Sequence, residues 1–122
     1  MADVFISYKR EDRETAEKLS RALTAMGFSV WWDFELLSGE NYRHVIRAVI
    51  DQAAACIVLW SPKAVESRFV VDEATHADKT DKLLPAFIAP CEPPFGFGGL
   101  HGEDLTTWSG AFTHPGFTAL LK

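Results

Sequence analysis

Six consecutive residues, Ala55-Cys56-Ile57-Val58-Leu59-Trp60, form a nearly unbroken apolar run. A strand of that composition has no face to show to water. It belongs at the centre of a sheet covered on both sides, which is the usual situation of a parallel sheet. The flanking segments agree. Val4-Phe5-Ile6-Ser7-Tyr8 is a β-rich run close to the N-terminus. Asp12 then stands as a helix cap ahead of Ala16, Leu19, Leu23 and Met26, whose spacing is helical. Gly27 ends that helix as a left-handed residue would. Phe28-Ser29-Val30-Trp31-Trp32 is a second strand, stopped by Asp33.

A loop is expected over 34–41. Tyr42, Val45, Ile46, Val49, Ile50 and Ala53 follow it at the intervals of one helix face. After the apolar strand, Ser61-Pro62 carries the pattern of a cap and a first helical position, and predicts a helix running to about Lys79. Leu83 to Ile88 is a fourth strand, in which Pro85 argues for a place away from the sheet centre or for a start after the proline. Residues 90–102 are rich in proline and glycine and read as loop. Asp104-Leu105-Thr106-Thr107-Trp108 is a short fifth strand, and residues 115–122 begin a helix that stops short. Alternating strands and helices predict an α/β chain with a parallel sheet and helices on both faces. Right-handed crossovers favour strand order 2-1-3-4-5. Ligands of such sheets sit outside the C-terminal strand ends, where the order reverses between strands 1 and 3.

With 122 residues the chain is expected to be one domain, residues 1–122, forming the N-terminal part of a longer protein. A net charge of −5 argues against nucleic acid as a partner. No apolar run approaches the roughly 18–20 residues of a membrane span, so no membrane contact is expected. Strand 1 follows the N-terminus too closely for a signal peptide. Cys56 and Cys91 lack metal-ligand spacing and read as reduced, packed thiols of a cytoplasmic protein. His44, His76, His101 and His114 show no zinc-binding spacing, so no metal is expected.

The common occupants of this fold are absent. Strand 3 ends in Trp60-Ser61 and strand 1 in Lys9-Arg10, where a phosphoacceptor domain needs acidic residues. There is no glycine-rich phosphate loop and no GxSxG elbow. What remains is a rim of Lys9 and Arg10 facing a helix on which Phe69 precedes Glu73 by one turn. An aromatic plate, one carboxylate and two cations suit a ligand with a flat positive ring and a pyrophosphate. Nicotinamide adenine dinucleotide is one such ligand, among many molecules that three loosely placed features fit. Each residue also has a plainer reading. Glu73 can be a solvated helix carboxylate, Phe69 core, and Lys9 with Arg10 a hydrated charge cluster. Tyr42 can be the core edge of its helix, and Asp33 a strand stop that bonds its own loop.

Asp3-Val4-Phe5-Ile6-Ser7-Tyr8, Gly27-Phe28-Ser29-Val30-Trp31-Trp32-Asp33 and Leu59-Trp60-Ser61-Pro62 occur in order. Together they resemble the conserved boxes of Toll/interleukin-1 receptor (TIR) domains, specifically bacterial ones. The resemblance runs through most of the chain and is thinner beyond residue 90. It implies a flavodoxin-like, three-layer fold with five parallel strands. It implies NAD+ as substrate rather than cofactor, cleaved to nicotinamide and ADP-ribose or a cyclic isomer, in bacterial immune or stress signalling. It also implies homotypic assembly with other TIR domains, and in non-catalytic members assembly alone.

Catalytic members carry a glutamate in the Trp-x-x-x-Glu pattern. Phe69-Val70-Val71-Asp72-Glu73 matches with Phe for Trp, keeping a π-face and losing the N–H donor. By the same resemblance Glu73 is the catalytic residue, and Lys9, Arg10, Asp33, Tyr42 and Phe69 bind substrate. The bond to be broken joins C1′ of ribose to a pyridinium nitrogen, so the leaving group departs neutral and needs no general acid. One carboxylate suffices to stabilise an oxocarbenium-like transition state by charge or by transient attack. A nucleoside-directed N-glycosidase of related fold is a third, weaker expectation.

Overall fold

A computed structural model describes residues 3–32, 48–91, 102–106 and 108. Five strands, β1 (Val4–Ser7), β2 (Val30–Trp31), β3 (Ala55–Trp60), β4 (Leu83–Phe87) and β5 (Glu103–Asp104), form one sheet. Its order is β2-β1-β3-β4-β5 and every pairing is parallel. Helices α1 (Arg13–Ala25) and α3 (Arg68–Lys79) flank it, with residues 48–52 helical as α2. The expected α/β architecture and strand order are both present.

Strand parity divides the core. Val4 and Ile6 of β1, with Ile57 and Leu59 of β3, pack on Ala16, Leu19 and Leu23 of α1. Phe5 of β1 and Cys56, Val58 and Trp60 of β3 face the other way, onto Ile50 of α2 and Val70, Ala74 and Ala77 of α3. Successive residues of a strand point to opposite faces, so β1 and β3 are buried from both sides and need the apolar runs they carry. Trp31 packs with the α3 side and Trp32 with the α1 side, as their alternation requires.

Several boundaries differ from the sequence reading. Met26 is 49% exposed and lies past the end of α1, so it is not part of that helix's apolar stripe. Gly27 takes φ +98°. Its N–H bonds Thr24 O at 3.0 Å, and that of Phe28 bonds Leu23 O at 3.1 Å. This double closure requires a left-handed residue, and glycine adopts it without strain. Asp12 holds the N-cap position of α1, yet its side chain does not cap the helix; it is engaged elsewhere, as described below.

The helix expected from Ser61 is split in two. Ser61 Oγ accepts from Ala64 N at 3.1 Å and starts a single 3-10 turn, Ala64–Glu66. The chain then extends at Ser67, whose Oγ accepts from Val70 N at 3.4 Å and caps α3. The fifth strand ends at Asp104 rather than 108. Asp104 Oδ1 accepts from both Thr106 N and Thr106 Oγ1, at 2.9 and 2.7 Å, which turns the chain.

Pro85 lies within β4, between β3 and β5. Ile88 N donates to Trp60 O and Phe87 O accepts from Leu105 N. Alternation therefore turns the missing N–H of Pro85 toward β5, which begins pairing only at Ala86. The loop at 34–41, the first part of the helix expected from Tyr42, and the helix at 115–122 lie outside the described residues.

Candidate active site

Ser7 is the last residue of β1 and shares the face of Phe5, which looks onto α3. It is a fully buried polar group in an apolar strand, and such a group needs a partner. Ser7 Oγ donates to Glu73 Oε1 at 2.7 Å, across 66 residues of sequence. Glu73 occupies the inward arc of α3 with Val70, Ala74 and Ala77, and is 8% exposed. Its second oxygen, Oε2, is buried with no hydrogen-bond partner among the described residues.

Burial pushes the Glu73 carboxyl up from 4.5 to about 7. The Ser7 hydrogen bond acts in the opposite sense, favouring the anion, and the charge of Asp72 adds to the rise. Near neutral pH this carboxyl therefore exchanges between acid and anion. Cys56, on the same face of β3, feels the same surroundings: burial pushes its thiol well up, and the charge of Glu73 pushes it further.

A second serine–carboxylate contact crosses the same junction. Ser61, immediately after β3, donates to Asp12 Oδ2 at 2.5 Å. Ser7 of β1 thus bonds the helix that follows β3, while Ser61 after β3 bonds the start of the helix that follows β1. Cys91 lies beyond the end of β4; partial burial raises its thiol, and the charge of Asp12 adds to that.

The other sequence candidates fall as follows. Lys9 is half-buried in the connection after β1, and Arg10 begins a short 3-10 turn and is exposed. Both follow the C-terminal end of β1, two and three residues after Ser7. Phe69 lies in the first turn of α3, one turn before Glu73; its side chain lies outside the described atoms, as do Asp33 and Tyr42 altogether. Ser7, Ser61 and their carboxylate partners were not paired by the sequence reading. The available signal was a hydroxyl in a strand with no exposed face. Among the described residues no group of three His, Cys, Asp or Glu could hold a metal ion. No helix among them is long and apolar enough to cross a membrane.

The fold is a doubly wound parallel sheet of flavodoxin-like type, with a buried carboxylate at the point where strand order reverses. The family model for the TIR domain matches residues 4–121, and the chain belongs to the TIR domain family. Among solved structures it is similar to the TIR domain of the Toll-related receptor TRR-2 from Hydra magnipapillata. The identity is 22%, with TM-score 0.78, covering 87% of this chain and 86% of that one. It is also similar to the TIR domains of the activated Roq1 resistosome, which directly recognises the pathogen effector XopQ. Here the identity is 22%, with TM-score 0.60, covering 71% of this chain and 57% of that one. No curated protein matches the sequence.

Proposed function

We propose that this TIR domain cleaves the bond between nicotinamide and ribose in NAD+, with Glu73 as the catalytic carboxylate. The observation that carries the reading is the state of that side chain. It is buried beside the switch point, one oxygen held by Ser7 and the other without a partner among the described residues. Purely structural buried carboxylates have their acceptors satisfied, because an unpaired one costs about 1–3 kcal/mol. An orphan acceptor in a site of this kind suits a ligand hydroxyl or a developing positive charge.

The chemistry follows from the leaving group. Nicotinamide leaves neutral, so positive charge builds on C1′ and the ring oxygen of the ribose. An anionic Glu73 in surroundings of low dielectric stabilises that charge strongly. It does so by charge alone, or by a transient bond from carboxylate oxygen to C1′ that water then breaks, leaving ADP-ribose and a proton. In this reading Lys9 and Arg10 meet the pyrophosphate, Phe69 and Tyr42 hold the rings, and Asp33 shapes the rim. The product is ADP-ribose or a cyclic isomer.

Homotypic assembly completes the reading. The Roq1 TIR domains belong to an activated resistosome, and self-association is the second property that the family resemblance implies. The likeness to bacterial members supports a role in bacterial immune or stress signalling in the cytoplasm. The competing reading, a scaffold that assembles without chemistry, is favoured by one feature, Phe69 at the position where catalytic members carry Trp. Incubating concentrated domain with NAD+ and following nicotinamide by chromatography separates the two. Release by wild type and loss in Glu73→Gln supports catalysis, whereas equal rates for both reject Glu73.

A further inference from the structure

We infer that Ser7 is a positioning residue for Glu73: its hydroxyl fixes Oε1 to the sheet and so leaves Oε2 as the oxygen offered to the ribose. This rests on the reading of Glu73 as the catalytic carboxylate and assigns separate duties to its two oxygens.

The geometry makes the pair asymmetric. A serine hydroxyl has one proton to donate, and here it goes to Oε1 at 2.7 Å. Oε2 is buried and receives no hydrogen bond from the described residues. The terminal torsion of a glutamate is broad and nearly two-fold, so a free carboxylate samples many orientations. A donor on a rigid element removes that freedom. Ser7 is on such an element, because β1 pairs with β3 along its whole length, Ser7 included, and with β2 at Val4 and Phe5. Ser7 stands directly opposite Val58 in the ladder, and the nearby Phe5, Val58 and Trp60 carry no hydroxyl or carboxylate that could replace it. Ser61, the other serine at this junction among the described residues, is already bonded to Asp12.

The same hydrogen bond sets the charge. Among the described residues, the groups that act on Glu73 are Asp72 on its own helix and Ser7 on β1, while Cys56 on β3 is acted on by the Glu73 charge. Burial and Asp72 favour the neutral acid, and only Ser7 favours the anion. Losing the Ser7 hydroxyl therefore frees the carboxylate to rotate and makes it harder to ionise. Both effects act on turnover. Neither removes a contact to the pyrophosphate or the adenine.

The experiment compares wild type, Ser7→Ala, Ser7→Thr and Glu73→Gln, each checked for folding by thermal melting. Turnover of NAD+ is measured across pH, and Glu73 is titrated directly by carbon-13 NMR on glutamate-labelled protein. Ser7→Ala is expected to lower kcat about 10- to 100-fold, the effect of one hydrogen bond to a charged group. KM should stay within about threefold, because substrate contacts are retained. The midpoint of the pH profile and of the NMR titration should both move upward, and Ser7→Thr, which keeps a hydroxyl, should restore most of each. An inert Glu73→Gln beside a Ser7→Ala enzyme with unchanged kcat and midpoint overturns the positioning role alone. A fully active Glu73→Gln overturns the catalytic reading, and the role of Ser7 falls with it. Should no protein turn over NAD+, an unmoved Glu73 titration in Ser7→Ala also overturns the proposal.

Discussion

Two serine–carboxylate contacts cross the junction between β1 and β3, and they differ in burial. Ser61 and Asp12 meet at a partly buried rim. Asp12 also stands at the N-terminus of α1, where a negative charge is favourable. Ser61 serves twice, donating to Asp12 and accepting from Ala64 N. That contact ties two chain turns together and leaves little undone. Ser7 and Glu73 meet in the interior, with one carboxylate oxygen unsatisfied and the carboxyl pushed up to about 7. A serine–carboxylate pair thus gives a brace in one place and a buried, chargeable group in the other. Solvent access makes the difference.

The largest expected effect lies in chemistry. Glu73→Gln keeps the shape and the acceptor for Ser7 but removes the charge, and should lower NAD+ turnover on the order of 10³-fold. Ser61→Ala should leave kcat within about twofold. Equal losses in the two variants, measured as nicotinamide release at matched protein concentration, would erase the distinction between the sites. Wild-type kcat should also rise as pH climbs through about 7, because the proposed mechanism uses the anion.

Stability gives the next contrast. The folded-state value of Glu73, about 7, lies above the 4.5 of an unperturbed glutamate. Between these values the folded protein holds a proton that the unfolded chain has released. The stabilising contribution is therefore complete below pH 4.5 and is lost as pH rises to about 7. The gap corresponds to about 3 kcal/mol. Urea denaturation at pH 5 and pH 8.5 should show this slope in wild type and not in Glu73→Gln. The variant should match wild type at pH 5 and exceed it at pH 8.5. An identical slope in both proteins would mean that Glu73 is solvated.

The fold was legible because β1 and β3 are buried on both faces and their residues say so without help from the rest of the chain. Val70, Ala74 and Ala77 stand at helical spacing as apolar residues of α3, and all three are buried. In the candidate site, a family pattern marked Glu73, and the structure adds its burial and its bond to Ser7. On sequence alone Glu73 could equally be a solvated helix carboxylate, whereas it is buried with Val70, Ala74 and Ala77. Its partner is 66 residues away, and no local pattern encodes a contact of that range. The caps show the same limit at short range. Asp12, Ser61 and Ser67 all fit cap patterns, and which of them closes α1, the 3-10 turn or α3 depends on what else each side chain can reach. Asp12 reached Ser61 instead of its own helix.

The smallest effects concern the rim, and one of them reverses sign against the interior. Ser61→Ala removes the cap of the 3-10 turn and the tie to Asp12, and should cost about 1–2 kcal/mol at any pH from 5 to 8.5. Asp12→Asn keeps an oxygen able to accept from Ser61 but removes a charge at the start of α1. The loss should be about 0.3–1 kcal/mol. Glu73→Gln and Asp12→Asn are the same chemical change, a carboxylate to an amide, at two ends of one junction. At pH 8.5 the first should stabilise the domain, because it removes a charge from a place that cannot solvate it. The second should destabilise, because it removes a charge that helix and solvent both accommodate. Denaturation of both variants at that pH decides the matter, and equal signs would show that burial is not what separates the two serine–carboxylate pairs.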